Sequence, residues 1–395
     1  MNSKSFYLHI PFCLSKCDYC DFFSVAKKDS MGNFIPDAYI EALKNEVDWY
    51  CSYYGIDTFK TVYIGGGTPS LMTASQMKDF LSFLNKRMEG CLECTIEMNP
   101  ETVTEEKLLI AQDYGATRLS VGIQSFNGNA LKAVHRHCSV ANIETALNLI
   151  KKNWKNRLNL DAIAGLPEQT SQEFLSSLRK ILDYEPDHIS LYTLTIEDGT
   201  PLAQRIDDGL YWNADLADEQ WLLGKAELLS LGFLQYEVSN FCKPSKESLH
   251  NMTYWQQQDY IGIGSGATGT VYAFGKDESG TRWTNTDNIE KYIKFWTSHR
   301  SSFDGGNLPR TEELLSISTE EEEFFMMGLR TVKGVSAGEF QRRFKSLAPH
   351  YGNILSRLEP IRDKIEEHYE QNGDVYYALS ADNFLFLNTV LLKLL

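Results

Sequence analysis

The chain has 395 residues, 43% of them hydrophobic, and carries 38 Lys and Arg against 53 Asp and Glu, a formal charge of −15. That length sets two or three domains with ample core, and the acidic balance without any dense basic stripe excludes nucleic acid as a partner. No apolar run reaches the roughly 18 residues of a transmembrane helix and no signal peptide precedes the first strand, so the expected compartment is the cytoplasm, where eight cysteines without regular pairing stay reduced.

The first predicted strand, Phe6–Ile10, runs directly into His9-Ile10-Pro11-Phe12-Cys13-Leu14-Ser15-Lys16-Cys17-Asp18-Tyr19-Cys20. Three thiolates at C-x3-C-x2-C spacing suit three irons of a 4Fe–4S cubane, and with no near fourth cysteine one iron stays open to an outside molecule. The competing readings are loosely placed loop thiols or a zinc site completed by His9. Cys51, Cys91, Cys94, Cys138 and Cys242 are read as incidental; Cys91 and Cys94 form a C-x2-C, but Cys94 enters a strand as a small buried residue.

Further strands are predicted at Thr61–Ile64, Glu93–Met98, Arg118–Gly122, Leu158–Ala162 and His188–Tyr192. The helices between them show one apolar stripe each, for example Ile143, Ala146, Leu147 and Ile150, or Phe174, Leu175, Leu178, Ile181 and Leu182. Six right-handed βα units predict an α/β fold, a partial (β/α)6 TIM-like barrel over residues 1–210, with ligands at the carboxyl ends of the strands.

Several chemistry-bearing residues fall at those ends. Gly65-Gly66-Gly67-Thr68-Pro69 lets the backbone approach a small ligand, and without a following Gly-Lys-Ser/Thr it suits an amino-acid headgroup better than a triphosphate. Glu97 stands where a carboxylate accepts from a ribose hydroxyl or an ammonium, or else caps a helix. Gln124, Arg136 beside His137, and Asp161 complete a polar ring suited to a zwitterionic, carboxylate-bearing cofactor, although each alone reads equally well as a structural hydrogen-bonding group.

After about Tyr211 the alternation fades. A helix is predicted near Asp215–Leu231, and residues 211–305 form an accessory segment whose aromatic, glycine-rich part, 236–271, is expected to close the barrel mouth. Within it, His250-Asn251-Met252-Thr253-Tyr254-Trp255 sets an imidazole beside aromatic rings, a composition suited to haem iron and porphyrin stacking; the competing reading is a satisfied structural histidine. A polar link, Ser301–Pro309, then precedes Ser318-Thr319-Glu320-Glu321-Glu322-Glu323, a helix start with acids in its first turn. A small, mainly helical C-terminal domain, 306–395, follows, with Met326-Met327 read as core or docking face.

Taken in order, His9–Cys13, Gly65–Ser70, Asn99-Pro100-Glu101, Gly122–Phe126, Gly165–Thr170, His188–Tyr192, Tyr236–Phe241, His250–Trp255 and Met327–Arg330 resemble the radical S-adenosylmethionine (SAM) branch that contains the oxygen-independent coproporphyrinogen III dehydrogenases and the haem chaperones. The resemblance covers nearly the whole chain. It implies a 4Fe–4S cluster on Cys13, Cys17 and Cys20, with SAM chelating the open iron and an electron donor feeding the cluster. By position, Tyr7, Gly66, Glu97 and Thr268 resemble the residues around the first SAM. Tyr19, Gly67, Thr68, Gln124, Arg136, Asp161 and Thr195 resemble those around the second SAM of the dehydrogenase.

Three departures point to the chaperone side. Phe22 stands where the dehydrogenase has a further cysteine, the dehydrogenase's long segment before the first strand is not matched, and the His250–Trp255 string matches the HNxxYW pattern for which haem binding is proposed. Against this, Thr268 stands where chaperone-like sequences usually place a histidine. The resemblance therefore implies a haem-binding protein that delivers haem to apo-haemoproteins, with His250 as a haem ligand and binding rather than turnover as its main output. The enzyme alternative is oxidative decarboxylation of coproporphyrinogen III.

Overall fold

The computed structural model describes residues 2–26, 28, 32–273, 279–298, 306–344, 354–380 and 383–394. The first five residues of the predicted link, 301–305, lie outside the described residues. Its first half is a run of βα units: β1 (Ser3–Ile10), α1 (Asp37–Tyr54), β2 (Thr58–Gly66), α2 (Ala74–Asn85), β3 (Glu93–Met98), α3 (Glu105–Asp113), β4 (Arg118–Gln124), α4 (Gly128–Ala133), α5 (Val140–Asn153), β5 (Arg157–Ala164), α6 (Ser171–Leu182) and β6 (His188–Thr193). The six strands pair in sequence order, all parallel, as the sequence periodicity predicts.

Their period-2 alternation sorts side chains by face. Phe6, Leu8, Ile10, Val62, Ile64, Ile96, Leu119, Val121, Leu160, Ile189 and Leu191 are all fully buried in the main apolar cluster, which the helical stripes of Ile143, Leu147 and Ile150 and of Phe174, Leu178 and Ile181 complete. The opposite face of the same strands is polar: Ser5, Tyr7 and His9; Thr61 and Tyr63; Glu93, Thr95 and Glu97; Arg118 and Ser120; Asn159 and Asp161; His188 and Ser190. Helix starts are fixed locally, α2 and α6 each by a full capping box, Thr73 with Gln76 and Thr170 with Glu173.

Beyond β6 come α7 (Pro201–Asp207), α8 (Ala214–Ser230), β7 (Leu234–Gln235), β8 (Asn240–Cys242), α9 (Leu249–Trp255), β9 (Tyr260–Ile263), β10 (Thr268–Val271), β11 (Gly280–Asn285), α10 (Ile289–Ser298) and β12 (Arg310–Leu315). α8 matches the predicted helix to within one residue. β9 pairs parallel with the free edge of β1, and β10, β11 and β12 extend that side antiparallel, while β8 and β7 extend the β6 side, for twelve strands among the described residues. β12 thus places residues 310–315 on the large sheet, across the border drawn at 306 from the sequence.

None of the described residues of the accessory segment lines the cavity at the carboxyl ends of the strands, although Gly264 and Gly266 pack beside it against His9 and Phe23. α9 lies instead across the amino ends of the strands, where Ser248 Oγ and the His250 backbone N–H donate to Glu93 Oε1 at 3.3 and 3.1 Å. The described residues of the C-terminal part form α11 (Ile317–Gly328), β13 (Val335–Ser336), α12 (Ala337–Phe344), β14 (Ile365–Tyr369), β15 (Val375–Leu379) and four short helical turns. Besides its helices it therefore holds a three-stranded antiparallel sheet, β13-β15-β14, packed on its own core around Phe324, Phe325, Phe340 and Phe344.

Candidate functional site

The cysteine loop leaves β1 at Pro11 and is pinned on both sides. Cys13 N–H donates to Val25 O at 2.9 Å and Val25 N–H to Pro11 O at 2.7 Å, while Gly67 and Thr68 N–H groups of the glycine run donate to Ile10 O and Phe12 O at 2.9 and 2.7 Å. Only glycine allows this approach. A Cβ at Gly66, whose φ is +108°, would lie 2.4 Å from His9 Nδ1, and one at Gly67 would lie 2.7 Å from Phe12 O.

Cys13, Cys17 and Cys20 line one cavity of about 470 Å³ at the carboxyl ends of the strands. The Thr68 hydroxyl donates to Cys13 Sγ at 3.6 Å, and Arg136 Nη1 stands 3.8 Å from Cys17 Sγ. Burial raises the Cys13 and Cys20 thiols above their ordinary value, with the neighbouring cysteines adding to the effect. A group that favours thiolates there must supply positive charge, as iron does. The zinc alternative loses its fourth ligand, because His9 Nε2 donates to Phe23 O at 2.9 Å and its Nδ1 is taken by the Tyr7 hydroxyl at 2.8 Å. Among the described residues no three His, Cys, Asp or Glu side chains converge on a single ion.

Tyr19, Gly66, Gly67, Thr68, Glu97, Gln124, Arg136, Asp161 and Thr195 line the same cavity. Glu97 accepts from the Tyr63 hydroxyl at 2.6 Å and from Gly66 N–H at 3.1 Å. Burial pushes its carboxyl up to about 7, opposed by the Tyr63 hydrogen bond and reinforced by Asp161. Burial likewise holds Asp161 at about 6, against hydrogen bonds from Ser190 and Asn159. Gln124 sits at φ +70°, where the β4–β5 register shifts between Gly122 and Gln124, a strained placement for a non-glycine residue. Arg136 donates to Gly122 O and reaches Asn99 Oδ1 at 3.4 Å. Among the described residues, Gln124 Oε1 and Arg136 Nε are buried with no partner.

Three predicted residues lie elsewhere. Tyr7 is one layer below, under His9. Thr268 is on β10, its hydroxyl 3.0 Å from that of Thr284. His250 is fully buried at the amino ends of the strands, its Nδ1 2.8 Å from Thr61 Oγ1, its Nε2 2.7 Å from the Tyr254 hydroxyl and its ring 5.2 Å from that of Tyr63. Burial drops its pKa to about 3. With both nitrogens hydrogen-bonded, this imidazole is a floor residue at the amino ends of the strands, away from the cysteine cavity.

Sequence reasoning missed Asn99, whose Nδ2 donates to Thr68 Oγ1 at 2.9 Å and so ties the glycine run to Arg136. It also missed Tyr63 and Tyr192, which flank the two carboxylates. Their inward-facing period-2 positions on β2 and β6 were the available signal.

The sequence model of the Radical SAM superfamily matches residues 7–181. Among curated proteins, the chain is 34% identical over 364 residues to "Heme chaperone HemW" of Lactococcus lactis subsp. lactis (strain IL1403), covering 90% of this chain and 89% of that one. It is 32% identical over 395 residues to "Heme chaperone HemW" of Escherichia coli (strain K12), covering 98% and 97%. Among solved structures, the coproporphyrinogen III oxidase HemN from Escherichia coli, a radical SAM enzyme, aligns with TM-score 0.77 and 20% identity over 100% of this chain and 90% of that one, a likeness of fold.

Proposed function

Because the chain belongs to the HemW family within the radical SAM superfamily, we propose that it binds haem and passes it to apo-haemoproteins. The observation that carries this is the near full-length identity to relatives named haem chaperones. Phe22 agrees with it: a side chain 68% exposed stands at the rim of the cysteine cavity where the dehydrogenase pattern has a further thiol.

The superfamily implies a 4Fe–4S cluster and SAM, and the residues present fit both. Cys13, Cys17 and Cys20 would hold the cluster, with the fourth iron left to SAM. The unpartnered Gln124 Oε1 and Arg136 Nε are a buried acceptor and a buried cation of the kind an amino-acid zwitterion satisfies. Glu97 would orient the ammonium end beside Gly66, and Thr68 and Asn99 would hold the loop. When bound, the pair supplies one-electron chemistry; in this reading it regulates or assembles the chaperone, served by an electron donor.

The test has two arms. Purified protein is titrated with haem, following the Soret band, and then mixed with an apo-haemoprotein. Anaerobically reconstituted protein is given SAM, reductant and coproporphyrinogen III beside an active dehydrogenase. Stoichiometric haem binding and transfer, without decarboxylated product, is the expected result. Decarboxylation, or failure to bind haem, overturns the proposal.

A further inference from the structure

The side-chain amide of Asn99 stands between Arg136 and Thr68 at the cysteine cavity, and these neighbours settle which way round it lies. Arg136 offers donors only, so its Nη2, 3.4 Å away, faces the Asn99 carbonyl oxygen. The Asn99 Nδ2 group must then face Thr68, and it donates to Thr68 Oγ1 at 2.9 Å. Gly122 leaves room for this meeting: a Cβ there would lie 3.2 Å from Arg136 Nη2 and 3.4 Å from Asn99 Oδ1. The backbone of Asn99 is fixed as well, its N–H donating to Ser70 Oγ at 3.2 Å and its carbonyl accepting from the Thr102 hydroxyl at 2.8 Å.

That orientation decides where the Thr68 proton goes. A hydroxyl has one proton and two lone pairs, and with the Asn99 amide donating to the oxygen, the proton points elsewhere. Cys13 Sγ stands there, at 3.6 Å. Thr68 has little freedom to turn away, since it is buried and its backbone N–H is tied to Phe12 O at 2.7 Å. A cysteine that ligates iron is a thiolate, an acceptor with no proton of its own, so toward a cluster ligand this contact is a charge-assisted hydrogen bond. Such a bond favours the more negative, reduced state, and hydrogen bonds to the sulfurs are among the factors that set a cluster's potential.

We infer that Asn99 is a positioning residue for the iron–sulfur centre, aiming the Thr68 hydroxyl at the Cys13 sulfur and so raising the potential at which the cluster takes up an electron. The inference rests on the assignment of the cluster to Cys13, Cys17 and Cys20 and adds to it how one ligand is tuned. Arg136 is the anchor: its Nη2 keeps the Asn99 amide the right way round, while its Nη1 stands 3.8 Å from Cys17 Sγ. The glycine run therefore does more than bring backbone close to the cysteine loop, because the residue that follows it carries the donor.

The reduction potential of the anaerobically reconstituted full chain, without SAM and followed by electron paramagnetic resonance, tests this, with iron and sulfide content measured on the same samples. Thr68→Val keeps the shape and removes the hydroxyl, and should lower the equilibrium constant for reduction about threefold to tenfold, which is ~30–60 mV at about 59 mV per decade for one electron. Thr68→Ser should keep the wild-type potential. Asn99→Ala leaves in place the groups that touch sulfur and should lower the constant about twofold to threefold. It should add nothing in the Thr68→Val background, the non-additivity of two residues that act through one bond. Wild-type potential in Thr68→Val at full cluster content overturns the inference, as does an Asn99→Ala shift that persists undiminished in Thr68→Val. If Thr68→Val takes up no cluster, the Asn99→Ala potential decides, and an unshifted value overturns the inference. A wild-type chain that assembles no cluster overturns the cluster assignment and this inference together.

Discussion

The two ends of the parallel sheet are built from the same residue types and treat them oppositely. At the amino end, Glu93 takes hydrogen bonds from Arg118 Nε at 3.0 Å, Ser248 Oγ and the His250 backbone. Arg118 Nη2 is shared by two carbonyls, and His188 bridges Asn159 and the Tyr236 hydroxyl at 2.6 and 2.8 Å. The atoms left over, Arg118 Nη1 and Thr95 Oγ1, belong to residues lining an internal cavity of about 40 Å³, about the size one water needs. At the carboxyl end, burial raises Glu97 and Asp161 alike, with Asp161 adding to the effect on Glu97, Gln124 is strained, and Arg136 is only partly satisfied. Buried polarity that is closed upon itself holds a fold, and buried polarity left open awaits a partner.

The largest effect should come from opening the closed end. Arg118→Ala leaves buried Glu93 with only the more distant Arg157, at 3.6 Å, as a cation and should cost about 3 kcal/mol in denaturant unfolding; a loss under about 1 kcal/mol would erase the distinction between the two ends. Next, His250→Ala removes two hydrogen bonds and a ring from the floor, about 2–3 kcal/mol, and the folded fraction should still bind haem with wild-type affinity. Selective loss of haem without loss of stability would return His250 to the ligand role.

The open end should respond with the opposite sign. The Glu97 carboxyl keeps its proton to about pH 7 when folded, against an ordinary value of 4.5, so its contribution is complete below pH 4.5 and is lost as pH rises through 7. Glu97→Gln should therefore stabilise the cofactor-free protein at pH 8 by about 1–2 kcal/mol. It should also weaken SAM binding and remove its rise between pH 6 and 8. Equal stability of variant and parent at pH 5 and pH 8 would show that Glu97 is not held neutral.

The comparison also explains what was legible in the sequence. β1 to β6 were readable because Phe6, Leu8 and Ile10, or Leu119 and Val121, alternate against polar neighbours, and the cysteine loop because its spacing is local. β14, Ile365–Tyr369, was not: four of its five residues are exposed, so no period-2 signal exists. The floor was invisible for another reason. His250 between aromatic rings looks alike in sequence whether its nitrogens are free or bonded, and the deciding partner, Thr61, is 189 residues away. The Cys91–Cys94 pair behaved as read, with Cys94 buried and all eight cysteines unpaired.

The position of β1 also governs how the chain is made. Its neighbours are β2, which follows soon after, and β9, which begins at Tyr260. During synthesis at about 5–20 residues per second, that edge of β1 stays open for roughly ten to forty seconds after its neighbour has formed. An unpaired apolar strand edge templates wrong pairing, so the nascent chain carries its greatest aggregation hazard beside the cysteine loop, and shielding of that edge before β9 emerges should set the yield of correctly folded protein.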